Sequence, residues 1–292
     1  MKISKTNLKN TFPFGGKYIL IILTLIFLSC DQNENKKTDF IYQKEFIELF
    51  KKENTNDYKF IAHAGGGIEN QIYTNSLEAI QNSIKNGFRL IEIDLIETQD
   101  GFFIGGHNDW KNFKKKIFSE NKNIDNKPMT LKEVKKNKIF NKYTPITIDE
   151  INNIFSKNKK LILFTDKTNN FKKIIEDFKF DKNRIVVEVF GKDNFFLAIE
   201  EGILNPMFAA NSSDYDFILD NGIKLISAHS SDVKTNYRIY KKLLKKDVII
   251  FTYTSNNENF INNHLNITSS GFYTDFWNIK NNNCSSKECK TY

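Results

Sequence analysis

Cysteine is scarce in this chain: three residues in 292, which excludes a small domain stapled by disulfides. Arginine is just as scarce, with only Arg89, Arg184 and Arg238. The lysines are scattered and no basic stripe is interleaved with aromatics, so a nucleic-acid-binding surface is excluded as well. The apolar run Tyr18–Leu28 is too short for a comfortable bilayer crossing, which takes about 20 residues. Neither an internal repeat nor a linker follows residue 58. What is present is apolar bulk: 40% hydrophobic residues, 14% aromatic, 27 of them Phe. That is far more than a disordered chain carries and is enough to fill one large core. The formal charge is +8, but Lys2, Lys5, Lys9 and Lys17 fall in the first 29 residues, which hold no acid, leaving a mildly basic body.

The amino terminus has the order of an export signal: basic residues to Lys17, the apolar run, then Ser29, Cys30 and a polar stretch from Asp31 to Lys37. A small residue followed by Cys resembles the lipobox of bacterial lipoproteins. Residues 1–29 are therefore expected to be a lipoprotein signal peptide, with Cys30 the acylated first residue of a protein anchored outside the cytoplasm, in the periplasm or at the cell surface. An uncleaved signal anchor with an incidental Cys is the alternative. Residues 30–57 are expected to be a tether and leading segment, 58–280 the folded domain and 281–292 a polar tail. In that tail Cys284 and Cys289 are either bridged in a short loop or two free thiols; a zinc site would need two more ligands than the tail offers.

From residue 58 short β-rich runs alternate with longer amphipathic stretches, the pattern of repeated βα units. The runs 59–63, 89–95, 161–165, 184–190, 206–210, 224–228, 248–253 and 271–275 predict eight strands. Helices are predicted over 76–86, 130–137, 147–156, 170–178, 194–201, 237–245 and 257–264. Between the second and third strands lies a longer segment with a turn region at 101–106 and a Lys- and Asn-rich loop near 111–128. Eight strands with crossover helices in one composition zone predict an α/β fold, a single-domain (β/α)8 TIM barrel, with the active site at the carboxyl ends of the strands.

Residues at those ends carry the chemistry. His63 closes the first strand. Glu92 and Asp94 alternate with Ile91, Ile93 and Leu95 on the second, so both carboxylates face one way. Two like charges side by side in an apolar strand are costly unless a cation joins them. His107 follows Gly106, and Asp166 ends the third strand as a third oxygen ligand. Taken singly, His63, His107 and Asp166 read equally as a packed histidine, another, and a helix cap. His229 ends the sixth strand and lines the pocket, whereas His264 sits in a polar helix and is expected to be solvated.

Taken together, His63-Ala-Gly-Gly, Thr74-Asn-Ser-Leu-Glu-Ala79, Gly87-Phe-Arg-Leu-Ile-Glu-Ile-Asp94, Thr98-Gln-Asp-Gly101 and Gly106-His107 resemble, in order and spacing, the glycerophosphodiester phosphodiesterase family among the phosphatidylinositol phospholipase C-like barrels. Phe251-Thr-Tyr-Thr254 and Gly271-Phe-Tyr-Thr-Asp275 look like the family's last two strands. The resemblance covers roughly residues 58 to 277. It implies a TIM barrel in which His63 and His107 act as general acid and base, while Glu92, Asp94 and Asp166 hold one divalent cation, Ca²⁺ or Mg²⁺. Lys167, Glu188, His229 and Tyr253 are expected to contact substrate. The family's Arg after the first His is Ala64 here, the Glu of its Glu-Asn-Thr motif is Thr74, and the Asp after its second His is Asn108. Its Lys two residues beyond the third ligand is Thr168, with Lys167 adjacent.

The chemistry supports the same reading without the family. A phosphodiester resists hydroxide, so its cleavage needs a cation on the non-bridging oxygens and groups to move protons on and off. Carboxylates suit hard divalent cations, and His titrates near neutrality. The expectation is an extracytoplasmic, metal-dependent phosphodiesterase whose partner is a phosphodiester small molecule or a lipid headgroup. Two other readings stay open: a non-catalytic surface module binding a phosphorylated glycan or lipid headgroup, and metal-independent headgroup cleavage with Lys or Arg in place of the cation.

Overall fold

In the computed structural model, which describes residues 42–53, 55–107, 109–118, 124–284 and 289, the predicted strands close into a barrel. The signal segment and Cys30 lie outside the described residues. No helix among those described is long and apolar enough to cross a membrane. The strands are β1 (Phe60–Ala62), β2 (Leu90–Glu97), β3 (Phe103–Gly105), β4 (Ile162–Asp166), β5 (Ile185–Phe190), β6 (Asn205–Ala210), β7 (Leu225–His229), β8 (Ile249–Tyr253) and β9 (Gly271–Thr274). All but β3 run parallel, and β1 closes the ring by pairing with both β2 and β9. Strands buried on both faces need apolar residues at every position, which is why they stand out as near-continuous apolar runs.

Alternation along each strand sorts the side chains. Ile91, Ile93 and Leu95 join the layer between barrel and helices, together with Leu163, Val187, Ile226 and Ile250. The opposite parity points inward, where Leu90, Ile162, Val186, Leu225 and Ile249 form an apolar lower layer with Phe164, Phe251 and Tyr273 above it. On β2 the same inward parity continues as Glu92 and Asp94, so the interior turns from apolar to acidic toward the carboxyl ends.

The described part of the expected leading segment is folded. A helix over Lys44–Glu53 closes the floor of the barrel, and its Phe46 is 1% exposed, ring against Phe164 and Phe251. Gln43 anchors it, donating from its side chain to the Pro206 carbonyl (2.5 Å) and from its backbone to that of Leu204.

Three further expectations are corrected by packing. The 101–106 turn region contains β3, which pairs antiparallel with β2 and returns the chain to His107. The Lys-rich loop contains a helix, Trp110–Ile117, whose Trp110, Phe113 and Ile117 are buried beneath the lysines. His264 is not solvated: it is 8% exposed, stacked on Phe260 at 4.2 Å, with Nδ1 2.7 Å from the Thr268 hydroxyl. In the tail, β10 (Trp277–Asn278) and β11 (Asn283–Cys284) pair antiparallel, and Cys284 is bridged to Cys289.

Candidate active site

Glu92, Asp94 and Asp166 converge at the mouth of the barrel, each presenting an oxygen within 4.8 Å of the others. Register brings this about: on neighbouring parallel strands Asp94 lies opposite Asp166, and Glu92 is one inward position below. All three are 5% exposed or less. Outer contacts fix them. Asn75 clamps Asp94, donating its amide to Oδ2 (2.8 Å) and accepting from the Asp94 backbone N–H. The backbone N–H of Ala64 donates to Glu92 Oε2 at 2.5 Å. That contact needs the sharp turn after β1, where Ala64 has φ 50° and Gly66 φ 92°. A Cβ on Gly66 would lie 2.1 Å from the Ser83 hydroxyl, so only glycine fits.

The remaining oxygens are unsatisfied: Glu92 Oε1 and Asp166 Oδ1 are buried with no hydrogen-bond partner. Burial, then the charges of Asp94 and Asp166, push the Glu92 carboxyl well above its ordinary range. Asp166 is pushed up to about 7 by burial and by Asp94. Orphaned oxygens and carboxylates forced toward protonation are what a missing positive charge would cure, and an all-oxygen set fits Ca²⁺ or Mg²⁺. Lys167 answers only part of the charge. Its left-handed backbone, φ 65°, turns Nζ back to within 2.5 Å of Asp166 Oδ2 and 3.8 Å of Asp94 Oδ1.

The two histidines flank this cluster in different settings. His63 Nδ1 lies 2.9 Å from Asp275 Oδ1, and Asn256 steadies Asp275 by donating to Oδ2 (2.7 Å) while accepting from its backbone. Burial acts to lower the His63 pKa, but the bond and charge of Asp275, with Asp94 and Asp166 behind it, raise it above the ordinary value. His107 Nε2 is 4.0 Å from Asp94 Oδ1. Burial, with Lys167 and Lys116 nearby, lowers its pKa to about 4. Tyr73 stands between them, its ring centroid 4.5 Å from each imidazole. The displacements run in opposite directions, so the site favours the proton on His63 over the proton on His107.

The other expected contact residues also border this cavity of about 440 Å³. Glu188 forms part of its floor, accepting from Ser227 (2.6 Å) and Tyr273 (3.0 Å), and burial with Asp166 above pushes its carboxyl up to about 7. Tyr253 meets His229 edge to face at 5.5 Å. His229 Nδ1 accepts from the Ser231 backbone N–H, which leaves Nε2 to carry the ring proton. Sequence reading missed Tyr73, Asn75, Asn256 and Asp275 as site residues. Asn75 lies inside the Thr74-Asn-Ser motif and Asp275 directly after the last strand, but their partners are set by barrel closure.

No protein-family model and no curated protein matches the chain. Its fold is nevertheless shared with solved structures. A glycerophosphoryl diester phosphodiesterase from Parabacteroides distasonis superposes with a TM-score of 0.59 at 17% identity, over 80% of this chain and 90% of that one. A glycerophosphodiester phosphodiesterase from Thermotoga maritima gives 0.58 at 16% identity, over 74% and 93%. An Oleispira antarctica phosphodiesterase in complex with the product sn-glycerol-3-phosphate gives 0.57 at 16% identity, over 76% and 94%. At these identities the likeness establishes the fold: this chain is a (β/α)8 barrel of the kind that glycerophosphodiester phosphodiesterases adopt.

Proposed function

We propose that the protein is a metal-dependent phosphoric diester hydrolase acting on a glycerophosphodiester or a related phosphodiester. The observation that carries this reading is the convergence, in one cavity, of three buried carboxylates bearing orphaned oxygens with two histidines whose basicity is displaced in opposite directions. The product held by the Oleispira barrel supports glycerol phosphate as one half of the substrate.

Glu92, Asp94 and Asp166 would hold the cation, which supplies positive charge to the non-bridging phosphate oxygens. Lys167 adds a second charge at the same edge. His107, neutral, accepts a proton from the attacking water. His63, charged and aimed by Asp275 through Nδ1, donates its Nε2 proton to the departing alkoxide. One P–O bond forms and one breaks, giving a phosphomonoester and an alcohol. Asp275 holds the His63 tautomer and offsets its charge throughout.

We also propose that the enzyme works outside the cytoplasm, anchored by acyl chains at Cys30. The signal order of residues 1–30 and the Cys284–Cys289 bridge, a feature of oxidising compartments, support this. The test is hydrolysis of a panel of glycerophosphodiesters by the full chain in detergent, with Ca²⁺ or Mg²⁺ and with chelator. Cation-dependent release of phosphomonoester is expected. Binding of phosphodiesters without turnover under every condition would replace the enzyme with a binding module.

A further inference from the structure

A second cavity, also of about 440 Å³, adjoins the catalytic one and plays no part in the chemistry above. The two share Ser230 and Thr254, the residues that follow β7 and β8, so they adjoin at the barrel mouth. Their linings differ in charge. Four carboxylates face the catalytic cavity: Glu92, Asp94, Asp166 and Glu188. Among the described residues none faces the second, whose one side chain charged at neutral pH, histidine aside, is Lys234. Ser230, Thr254 and Ser255 add hydroxyls, Asn263 adds an amide, and Phe260 contributes an apolar wall, while the Ser231 hydroxyl is engaged by His229.

The His229 hydrogen bonds make the junction directional. Its Nδ1 is occupied by Ser231, on the side of the second cavity, while the ring itself borders the first. Hydroxyl and amide donors around one cation, without an acid, suit an anionic group. The step from one cavity to the next suits a ligand that begins at the phosphodiester and extends past His229.

We infer that this groove is a subsite for the far end of the substrate, and that the preferred substrate is a phosphodiester whose second alcohol carries a further anionic group, phosphate or carboxylate. The inference rests on the hydrolase reading for its substrate and on the groove for its specificity. Lys234 supplies the charge and Asn263 an amide; both are exposed, and neither lines the catalytic cavity.

The test compares glycerophosphoglycerol with its analogue phosphorylated on the far glycerol. With cation present, the wild type is expected to favour the charged analogue in kcat/KM. Lys234→Ala should lower that value about fivefold, the upper end for an exposed ion pair. Lys234→Glu should lower it about tenfold or more by adding repulsion. Asn263→Asp, which adds a negative charge to the same lining, should act in the same direction. All three should do so through KM, with glycerophosphoglycerol unaffected. In chelator, calorimetric titration of the same two ligands should show the same split in affinity, without needing turnover. Binding that splits with no hydrolysis of either compound keeps the subsite and discards the hydrolase. Hydrolysis of both compounds with no preference, or variants that affect both equally, overturns the subsite and leaves the hydrolase intact. Phosphate and carboxylate analogues, run in parallel, distinguish the two anions.

Discussion

His63 and Asp275 stand 212 residues apart in sequence and 2.9 Å apart in space, because the first and last barrel strands pair side by side. The carboxylate at one end of the chain thereby sets the proton affinity of the imidazole at the other. Asp275→Ala should leave the barrel folded, as read by circular dichroism, and lower kcat by a factor on the order of 10² to 10⁴, the usual worth of a positioned acid or base. Unchanged turnover would remove His63 from the proton-transfer role.

His63→Ala and His107→Ala should each cost a similar factor of roughly 10² to 10⁴. The double variant should fall far short of the product of the two, since either loss disables the concerted route. A substrate with a strongly acidic leaving group needs no proton from the enzyme. It should restore His63→Ala and leave His107→Ala impaired; the reverse pattern would exchange the two roles.

The pH profile follows from the same pair. His107 must be neutral, so activity rises through its pKa of about 4. His63 must be protonated, so activity falls as pH passes its raised value. With the cation site occupied, kcat/KM should fall on both the acid and the alkaline side, and the alkaline limb should move to lower pH in Asp275→Asn.

Cation binding should stabilise the fold, by about 2.7 kcal/mol at a hundredfold excess over Kd. Without cation, the Asp166 carboxyl titrates near 7 when folded and in the ordinary acid range when unfolded. Its contribution to stability is therefore full at low pH and lost as pH rises toward 7. Above that pH the cation no longer competes with a proton. The rise in Tm on adding Ca²⁺ or Mg²⁺ should be larger at pH 8 than at pH 6, and absent in Glu92→Gln/Asp94→Asn.

Phe46→Ala should destabilise the barrel by about 3 to 5 kcal/mol in chemical denaturation, because it empties a site enclosed by Phe164 and Phe251. Turnover by the folded fraction should not change, since that ring lies on the floor.

The barrel was legible because parallel strands must be apolar on both faces, so Ile91, Glu92, Ile93 and Asp94 betrayed both the strand and its acidic interruption. His63, His107 and Asp166 stood out only together, through the family resemblance; singly, a strand-end position did not distinguish them from packed or capping residues. The Lys44–Glu53 and Trp110–Ile117 helices were not legible: their few buried positions, Phe46 in one and Trp110, Phe113 and Ile117 in the other, are outnumbered by lysines and other polar residues. Asp275 and Asn256 escaped notice because their roles depend on strand closure, which leaves no mark on local spacing. Tyr73 escaped it because its ring fills a gap between two histidines 44 residues apart in the chain.

The helix across the barrel floor also governs traffic. With Phe46 seated against Phe164 and Phe251, the end opposite the carboxylates is stoppered. On the proposed function, and among the described residues, cation, substrate and both products would then share the mouth, and whichever product left last would keep the next substrate waiting.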